Sequence, residues 1–475
     1  HCPLPAVLKN ANKGRKMGKI MVDLNKVQRV HFIGIAGAGM RAIANIFIEK
    51  GYAVSGSDLR PSATTERFEQ MGARIFIGQQ AENVAGAEVV IISSAIRDNN
   101  VELVEARRLG IPVIHRSDAL IHIMSWGKGI AVAGAHGKTT TSSMLGQVFY
   151  ESDTDPTLVI GGEVDYLHCN SVLGKGDYVI VEADESDGSF LKERPYMAVV
   201  TNIDADHMDH YGSLENIVKA FHEFLDRLDP QEGFENEKIR ALAKNLDRRY
   251  ISYALEEEAD YNGRNIYYDQ GRLYYEVWHD GQNLGTISLC VPGRHNVLNS
   301  LAAVAVALTC GIPFGKIAKA LAHFHGAKRR FQTKGHVGGV WVVDDYAHHP
   351  TEINATLTAA RDMGTHRVVC LFQPHRYTRT KLLLNDFGGA FANADKLIIT
   401  DVYSAGEDPI PGINGELIAQ KVKETTGQDV TYIADKRELV GYLKENARPQ
   451  DLIITMGAGD IYQIGEQYVQ EMEKK

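Results

Sequence analysis

The sequence predicts an α/β protein of three domains, and three observations predict it. Strand-length apolar runs alternate with helix-length amphipathic segments at both ends of the chain. Two glycine turns, GIAGAG at 34–39 and GAHGKT at 134–139, each follow an apolar run and open a helix. The length, 475 residues, suits about three domains. The expected division is a flexible leader at 1–26 and domains at 27–126, 127–327 and 328–475. These read as a Rossmann-like N-terminal domain, a central domain with a P-loop-type turn and a doubly wound, Rossmann-like C-terminal domain.

The leader carries a basic stretch, Lys9–Lys19, and lacks the apolar run of a secretory signal. Val27–Ile35 then reads as a strand, Met40–Lys50 as a helix and Tyr52–Ser57 as a second strand ending at Asp58. An acidic residue about 20 positions past a glycine turn is where a Rossmann fold holds a ribose. A dinucleotide site and an ordinary βαβ turn both fit this stretch. Further strands at Glu88–Ser93 and Pro112–His115 alternate with helices at Ala63–Met71 and Val101–Leu109. Ile123–Lys128 reads as a linker.

The central domain opens with Ala131–Thr141, AVAGAHGKTTT. A strand, a glycine turn and a helix start aim backbone N–H groups at an anion. Gly134, His136 and Gly137 form the turn, Lys138 brings a mobile charge for phosphate, and Thr139 and Thr140 bring hydroxyls, Thr139 suiting Mg²⁺. Two residues separate the glycines, against four in a strict P-loop. Asp177–Ala183 and Met197–Asn202 are strands that run into acidic loops, EADESD and NIDADHMDH. Glu182, Asp184, Glu185 and Asp187 suggest Mg²⁺, which takes oxygen ligands. His207 and His210 lack the spacing of a zinc pair, and one imidazole could supplement a carboxylate on Mg²⁺. Ile217–Leu228 reads as an amphipathic helix, and 251–291 as antiparallel hairpins with turns at Asp269–Gly271 and Asp280-Gly281. Gly293–Cys310 is an apolar-faced helix. At its start Asn296 and Asn299 could read an adenine edge or cap the helix.

A second boundary falls at Gly326–Lys334. Strands at Val340–Asp345, Val368–Phe372, Lys396–Asp401, Val430–Ile433 and Asp451–Met456 follow, separated by helices. A doubly wound sheet gathers strand ends on one edge. That edge then holds Asp344, Asp345, Tyr346, His348, Arg376 and Arg379, and paired arginines suit a carboxylate.

Composition excludes several classes. A net charge of −9 argues against a broad nucleic-acid surface. The most apolar stretch, Leu298–Cys310, is too short to cross a bilayer. Five scattered cysteines without a CxxC pair read as reduced thiols in a cytoplasmic protein, with no structural zinc.

Together these stretches resemble the Mur ligase family. The carrying residues are HFIGIAGAGM, GAHGKTTT, EADESDGSF, TNIDADHMDHYG, PGRHNVLNSLAA, KRRFQ, VDDYAHHPTE and FQPHRYTRT, in the family's order after residue 27. GIAGAG stands where the family commonly has GIGGxG, and Pro230–Arg249 looks short of a strand usual there. The resemblance is to the branch that joins L-alanine to UDP-N-acetylmuramate with ATP and Mg²⁺, through an acyl phosphate. It implies that Lys138, Glu182, His207 and Arg330 serve catalysis. Thr139, Glu182 and His207 would ligate Mg²⁺. The phosphate turn with Asn296, Asn299, Arg330 and Asp345 would hold ATP. Gly37, Gly39, Met40, Asp58 and Ser94 would line the UDP site, and Tyr346, His348, Arg376 and Arg379 would hold L-alanine. It implies a cytoplasmic enzyme of peptidoglycan precursor synthesis, with monomer and homodimer both open.

Rival readings are a ligase adding a tripeptide to the same sugar nucleotide, an NAD-dependent dehydrogenase using Gly34–Asp58, and an ATP-binding switch. The dehydrogenase leaves GKTTT unexplained, and the switch leaves the C-terminal Arg/His edge unexplained.

Overall fold

The computed structural model describes residues 22–164, 166–167, 169–186, 188–205, 208–226, 232–236, 250–364 and 366–474. The described residues form two compact units, one from 22–36 with 51–115, the other from 37–50 with those from 116 onward.

The first unit is a parallel sheet of β1 (Arg29–Ile33), β2 (Ala53–Asp58), β3 (Arg74–Ile77), β4 (Val89–Ile92) and β5 (Val113–His115). Its order, β3-β2-β1-β4-β5, is that of a Rossmann sheet. Ile33, Val84, Val90, Leu103 and Ala106 form its core. Each fully buried aliphatic side chain of this kind contributes roughly 1.5–3 kcal/mol. Glu102 is buried there without exposure to water. It accepts from Ser57 Oγ at 2.6 Å and Asn83 Nδ2 at 2.5 Å, with His31 Nε2 at 3.4 Å. Burial works to raise its pKa, but these partners hold it below the ordinary carboxylate value.

In the second unit, helices Ala38–Lys50 and Arg116–Met124 precede a ten-stranded sheet. Its strands are β6 (Lys128–Ala133), β7 (Thr157–Val164), β8 (Cys169–Val172), β9 (Tyr178–Glu182), β10 (Met197–Val200), β11 (Glu232–Asn236), β12 (Tyr250–Ala254), β13 (Tyr261–Asp269), β14 (Arg272–His279) and β15 (Gln282–Leu289). The order β15-β14-β13-β12-β11-β10-β6-β9-β7-β8 puts β6 between β10 and β9. The phosphate turn therefore leaves the middle of the sheet, flanked by the ends of both acidic-loop strands. Helix Arg294–Thr309 is buried on nearly all faces and shares one core with helix Lys138–Glu151.

A third sheet holds β16 (Gln332–Val337), β17 (Val340–Asp345), β18 (Arg367–Phe372), β19 (Lys396–Ile399), β20 (Val430–Tyr432) and β21 (Asp451–Met456), in the order β16-β17-β21-β18-β19-β20. Separate apolar clusters cover its two faces, around Phe372 and Leu371. The C-terminal ends of β17, β21 and β18 lie side by side. The protein is thus α/β with mostly parallel sheets, as the alternation of runs predicts.

Three local expectations are corrected. Pro230–Arg249 contains a strand after all, β11, paired in parallel to β10 and β12. Its sequence, EGFEN, has one apolar residue, so no periodicity reveals it; ladder bonds to two neighbours place it. The supposed linker Ile123–Lys128 narrows to 125–127, because helix Arg116–Met124 precedes it and β6 starts at Lys128. Helix Leu214–Asp226 starts three residues before the expected Ile217.

Candidate active site

The phosphate turn is built by its backbone. Gly134 has φ +134°, and a Cβ there would strike Thr201 Oγ1. Gly137, at φ +82°, caps helix Lys138–Glu151, and a Cβ there would lie 2.6 Å from Asn299 Oδ1. Glycine is required at both places, for a left-handed turn and a close approach. Asn202 clamps the turn: its Oδ1 accepts from His136 N–H and its Nδ2 donates to His136 O, both at 2.9 Å.

Lys138 Nζ donates to Gly134 O at 2.6 Å and to Glu185 Oε1 at 2.7 Å. Burial lowers its pKa, but Glu185, Glu182 and Asp184 outweigh burial and hold it above the ordinary value. The lysine is a fixed cation at the mouth of the turn. Thr139 Oγ1 donates to Glu182 Oε1 at 3.0 Å, and Gly161 N–H donates to Glu182 Oε2 at 2.8 Å. Adjacent oxygens on Mg²⁺ at about 2.1 Å lie about 3 Å apart, so this hydroxyl–carboxylate pair fits the ion. Burial raises Glu182's pKa, with Lys138 opposing it. His207 lies outside the described residues.

One cleft of about 1180 Å³ carries Gly39, Gly137, Lys138, Thr139, Glu182, Arg330, Tyr346, His348, Arg376 and Arg379 on its walls. Ten of the expected site residues, from six sequence stretches, therefore face one space. Arg329 and Arg330 lie over the Tyr346 ring at 5.0 and 5.4 Å. His375 lines the cleft as well, its Nδ1 accepting from Arg379 Nη1 at 3.2 Å. Burial and then the charges of His348, Arg379 and Arg376 hold His375 down at about 3, so it is neutral and its Nδ1 is the acceptor.

Other expected residues do not line this cleft. Thr140 is buried in the first helical turn. Asn296 Nδ2 donates to Pro292 O at 2.6 Å, and Asn299 Nδ2 donates to Asn296 Oδ1 at 3.1 Å. Neither caps the helix, whose N-cap is Gly293; Asn299 instead backs the phosphate turn. Asp345 accepts from the N–H groups of Phe331 and Ala347 at 2.9 and 2.8 Å, and burial raises it to about 6. Gly37 O accepts from Met40 and Arg41 N–H, and Met40 is buried. In the first unit, Asp58 accepts from Ala36 N–H at 3.0 Å and Ser94 Oγ meets His115 Nε2 at 3.0 Å.

Several participants escape a reading of the sequence. Arg116 pairs with Asp184 and lies against Gly39. Glu193, buried near that pair, is raised to about 8 by burial and the Asp184 charge. His136 stands between two carboxylates, with Nε2 at 3.0 Å from Asp204 Oδ2 and Nδ1 at 3.3 Å from Glu352 Oε1. Burial disfavours its charge, but Asp204 and Glu352 raise it to about 9. Ligand atoms of His136, Asp204 and His349 come within 4.8 Å of one another. A ring protonated at both nitrogens offers no lone pair to a metal. His349 Nδ1 already accepts from Thr351 N–H at 3.3 Å. In this structure these side chains form a relay of ion pairs and hydrogen bonds with Glu352 and Thr351. Its sequence signal is the capping box that starts at His349 and places Glu352 in the first turn.

Three family descriptions match the chain: "Mur ligase family, catalytic domain" at residues 29–126, "Mur ligase middle domain" at 132–307, and "Mur ligase, glutamate ligase domain" at 329–459. The chain is 49% identical over 457 residues to the UDP-N-acetylmuramate–L-alanine ligase of Pelotomaculum thermopropionicum, covering 95% of this chain and 99% of that one. It is 47% identical to the ligase of the same name from a Geobacter species, covering 93% and 97%. Its fold is similar to the crystal structure of UDP-N-acetylmuramate–alanine ligase from Thermotoga maritima, at TM-score 0.80 and 29% identity, covering 94% and 99%.

Proposed function

The chain belongs to the Mur ligase family, and from that premise we infer that it joins L-alanine to the lactyl carboxylate of UDP-N-acetylmuramate, converting ATP to ADP and phosphate. The observation that carries the reading is one cleft bearing both Lys138, Thr139 and Glu182 and Tyr346, His348, Arg376 and Arg379. The first group suits a transferring phosphoryl and the second a zwitterionic amino acid. The tripeptide-adding alternative has less support, because the relatives 45–49% identical carry the alanine name.

A carboxylate is a poor acyl donor. Its oxygen attacks the γ-phosphorus of ATP, ADP leaves, and an acyl phosphate forms. The alanine amine, having lost a proton, attacks the acyl carbon, and phosphate departs with the carboxylate oxygen. Lys138, fixed by Gly134 O and Glu185, stabilises charge on the moving phosphoryl. Arg330 stands on the same wall, 3.9 Å from Glu352. Thr139, Glu182 and His207 would hold Mg²⁺, which would supply further positive charge at the phosphates. Arg376 and Arg379 would take the alanine carboxylate, leaving the amine to face the acyl carbon. Asn296, Asn299 and Asp345 would act from behind the nucleotide wall, and Gly37, Gly39, Met40, Asp58 and Ser94 would receive the UDP-sugar. Those substrates place the reaction in the cytoplasm; among the described residues no helix is long and apolar enough to cross a membrane.

The test incubates the protein with Mg-ATP, UDP-N-acetylmuramate and alanine, glycine, serine or tripeptide in turn. Phosphate release and the joined product are measured. Alanine is expected to give both at the highest kcat/KM. Preference for the tripeptide would establish the alternative.

A further inference from the structure

One strained stretch of backbone on the cleft wall belongs to an arginine. Arg376 has φ +71° and ψ +136°, a region that is nearly reserved for glycine. Side chains persist there only where surrounding contacts over-determine them. The contacts come from the loop after β19. Tyr403 O accepts from Arg376 N–H at 2.8 Å, and Tyr403 N–H donates to Pro374 O at 2.8 Å. His375 and Tyr403 form a parallel bridge, and their rings stack at 5.7 Å. Glu407 fastens the end of this strap. Its Oε1 lies 2.9 Å from Arg376 Nε, and it accepts from the Thr378 hydroxyl at 2.6 Å and Thr378 N–H at 3.1 Å.

We propose that Glu407 is the positioning residue for Arg376, fixing the guanidinium that receives the carboxylate of the incoming amino acid. Glu407 is not on the cleft wall, so it acts through the arginine. A planar fork recognises a carboxylate only in one orientation. A carboxylate on Nε fixes the guanidinium plane about its last rotatable bond and offsets one of two cationic charges three residues apart. The Thr378 contacts anchor Glu407 to helix Tyr377–Leu382, so that the loop, the strained arginine and the helix start are set as one piece. Burial works against the charge of Glu407, but Thr378 and Arg376 hold its pKa below the ordinary value, so the pair is ionised at neutral pH.

The inference rests on Arg376 belonging to the amino-acid site, and the experiment separates the two. Glu407→Gln, Arg376→Lys, Arg376→Gly and Thr378→Val are made in the full chain. KM for L-alanine, ATP and UDP-N-acetylmuramate, kcat and Tm are measured for each. Glu407→Gln is expected to raise KM for alanine about tenfold or more, with kcat at saturating alanine and the other KM values within about twofold. Arg376→Lys should likewise raise KM for alanine. Arg376→Gly should lose alanine affinity while keeping or raising Tm, since glycine tolerates the backbone angle. Thr378→Val, which keeps the charge pair, should leave KM for alanine within about twofold of wild type. If Arg376→Lys raises KM for alanine and Glu407→Gln does not, the positioning role is overturned and the amino-acid site stands. If Arg376→Lys leaves KM for alanine unchanged, the reading of the site itself fails. If Glu407→Gln lowers Tm and disturbs all three substrates alike, or Thr378→Val mimics it, Glu407 is only a helix cap. Should Glu407→Gln not fold, Glu407→Asp keeps the charge with shorter reach, and its alanine KM must rise selectively or the proposal falls.

Discussion

His136, on the phosphate turn, and Glu352, in the first turn of helix Pro350–Asp362, meet at 3.3 Å across 216 residues of sequence. The contact ties the glycine turn of Gly134–Thr139, which we assign to phosphate, to the element that carries Tyr346 and His348 at its entrance. Asp204 holds the other ring nitrogen, Thr351 Oγ1 donates to Asp204 at 2.8 Å, and the His349 ring lies 4.8 Å from that of His136. Arg330 and His348 face Glu352 from its other sides.

This relay predicts a pH dependence. His136 is raised from 6.5 to about 9, burial opposing and Asp204 and Glu352 prevailing. A raised folded-state pKa contributes stability that is complete below the unfolded value, near 6.5, and is lost as pH rises through about 9. Burial likewise works to raise Glu352, but His348, His136 and Arg330 hold it well below the ordinary range, so its charge persists into acid. The His136 contribution is on the order of 3 kcal/mol. The stability difference between wild type and Glu352→Gln in urea should be greatest near pH 6 and shrink as pH rises through about 9. A difference that grows with alkalinity would reverse the assigned protonation of His136.

Lys138→Ala should lower ligation by about a thousandfold or more, because it removes the cation from the transferring phosphoryl. Far-UV circular dichroism should stay native, since the helix that follows keeps its buried face. Glu185 and Glu182 lose their buried partner, so Tm should fall modestly. Turnover within tenfold of wild type in a folded variant would remove Lys138 from the phosphate site.

Much of this site is legible in the sequence because its chemistry is local. Lys138 and Thr139 follow from a strand, a glycine turn and a helix start, and Glu182 from a strand end beside them. Arg376 and Arg379 are visible as a pair three apart. What stays hidden is partner choice across the fold. Nothing near His136 announces Glu352, and nothing near Arg376 announces Glu407 or a φ of +71°. Asn296 and Asn299 look alike as adenine readers and caps until Gly293 proves to be the cap. β11 is held by backbone ladders to its neighbours, which carry no side-chain signature.

Glu182→Gln should raise the Mg²⁺ concentration needed for half-maximal activity about tenfold or more. The amide keeps the size, and its oxygen can still accept from Thr139 or Gly161, but the charge that would face the ion is gone. His207→Ala should shift the same curve in the same direction. Titrations of activity against Mg²⁺ at fixed ATP provide the measurement, and curves superimposed on wild type would place the metal elsewhere.

The acyl-phosphate route can be tested by following one oxygen. The lactyl carboxylate is expected to attack the γ-phosphorus, because Lys138 and the Thr139–Glu182 pair prepare the phosphate end of the cleft. Attack puts a carboxylate oxygen between carbon and phosphorus. When the amine displaces phosphate, that oxygen leaves with it. With the carboxylate labelled by heavy oxygen, one labelled atom per turnover should appear in the released phosphate, weighed by mass spectrometry. A switch that hydrolyses ATP with water would release unlabelled phosphate and form no amide. A ligase that adenylates its substrate would carry the label into AMP and release pyrophosphate. Unlabelled phosphate released together with authentic amide product would rule out the acyl phosphate, and with it the role given to Lys138 at the moving phosphoryl.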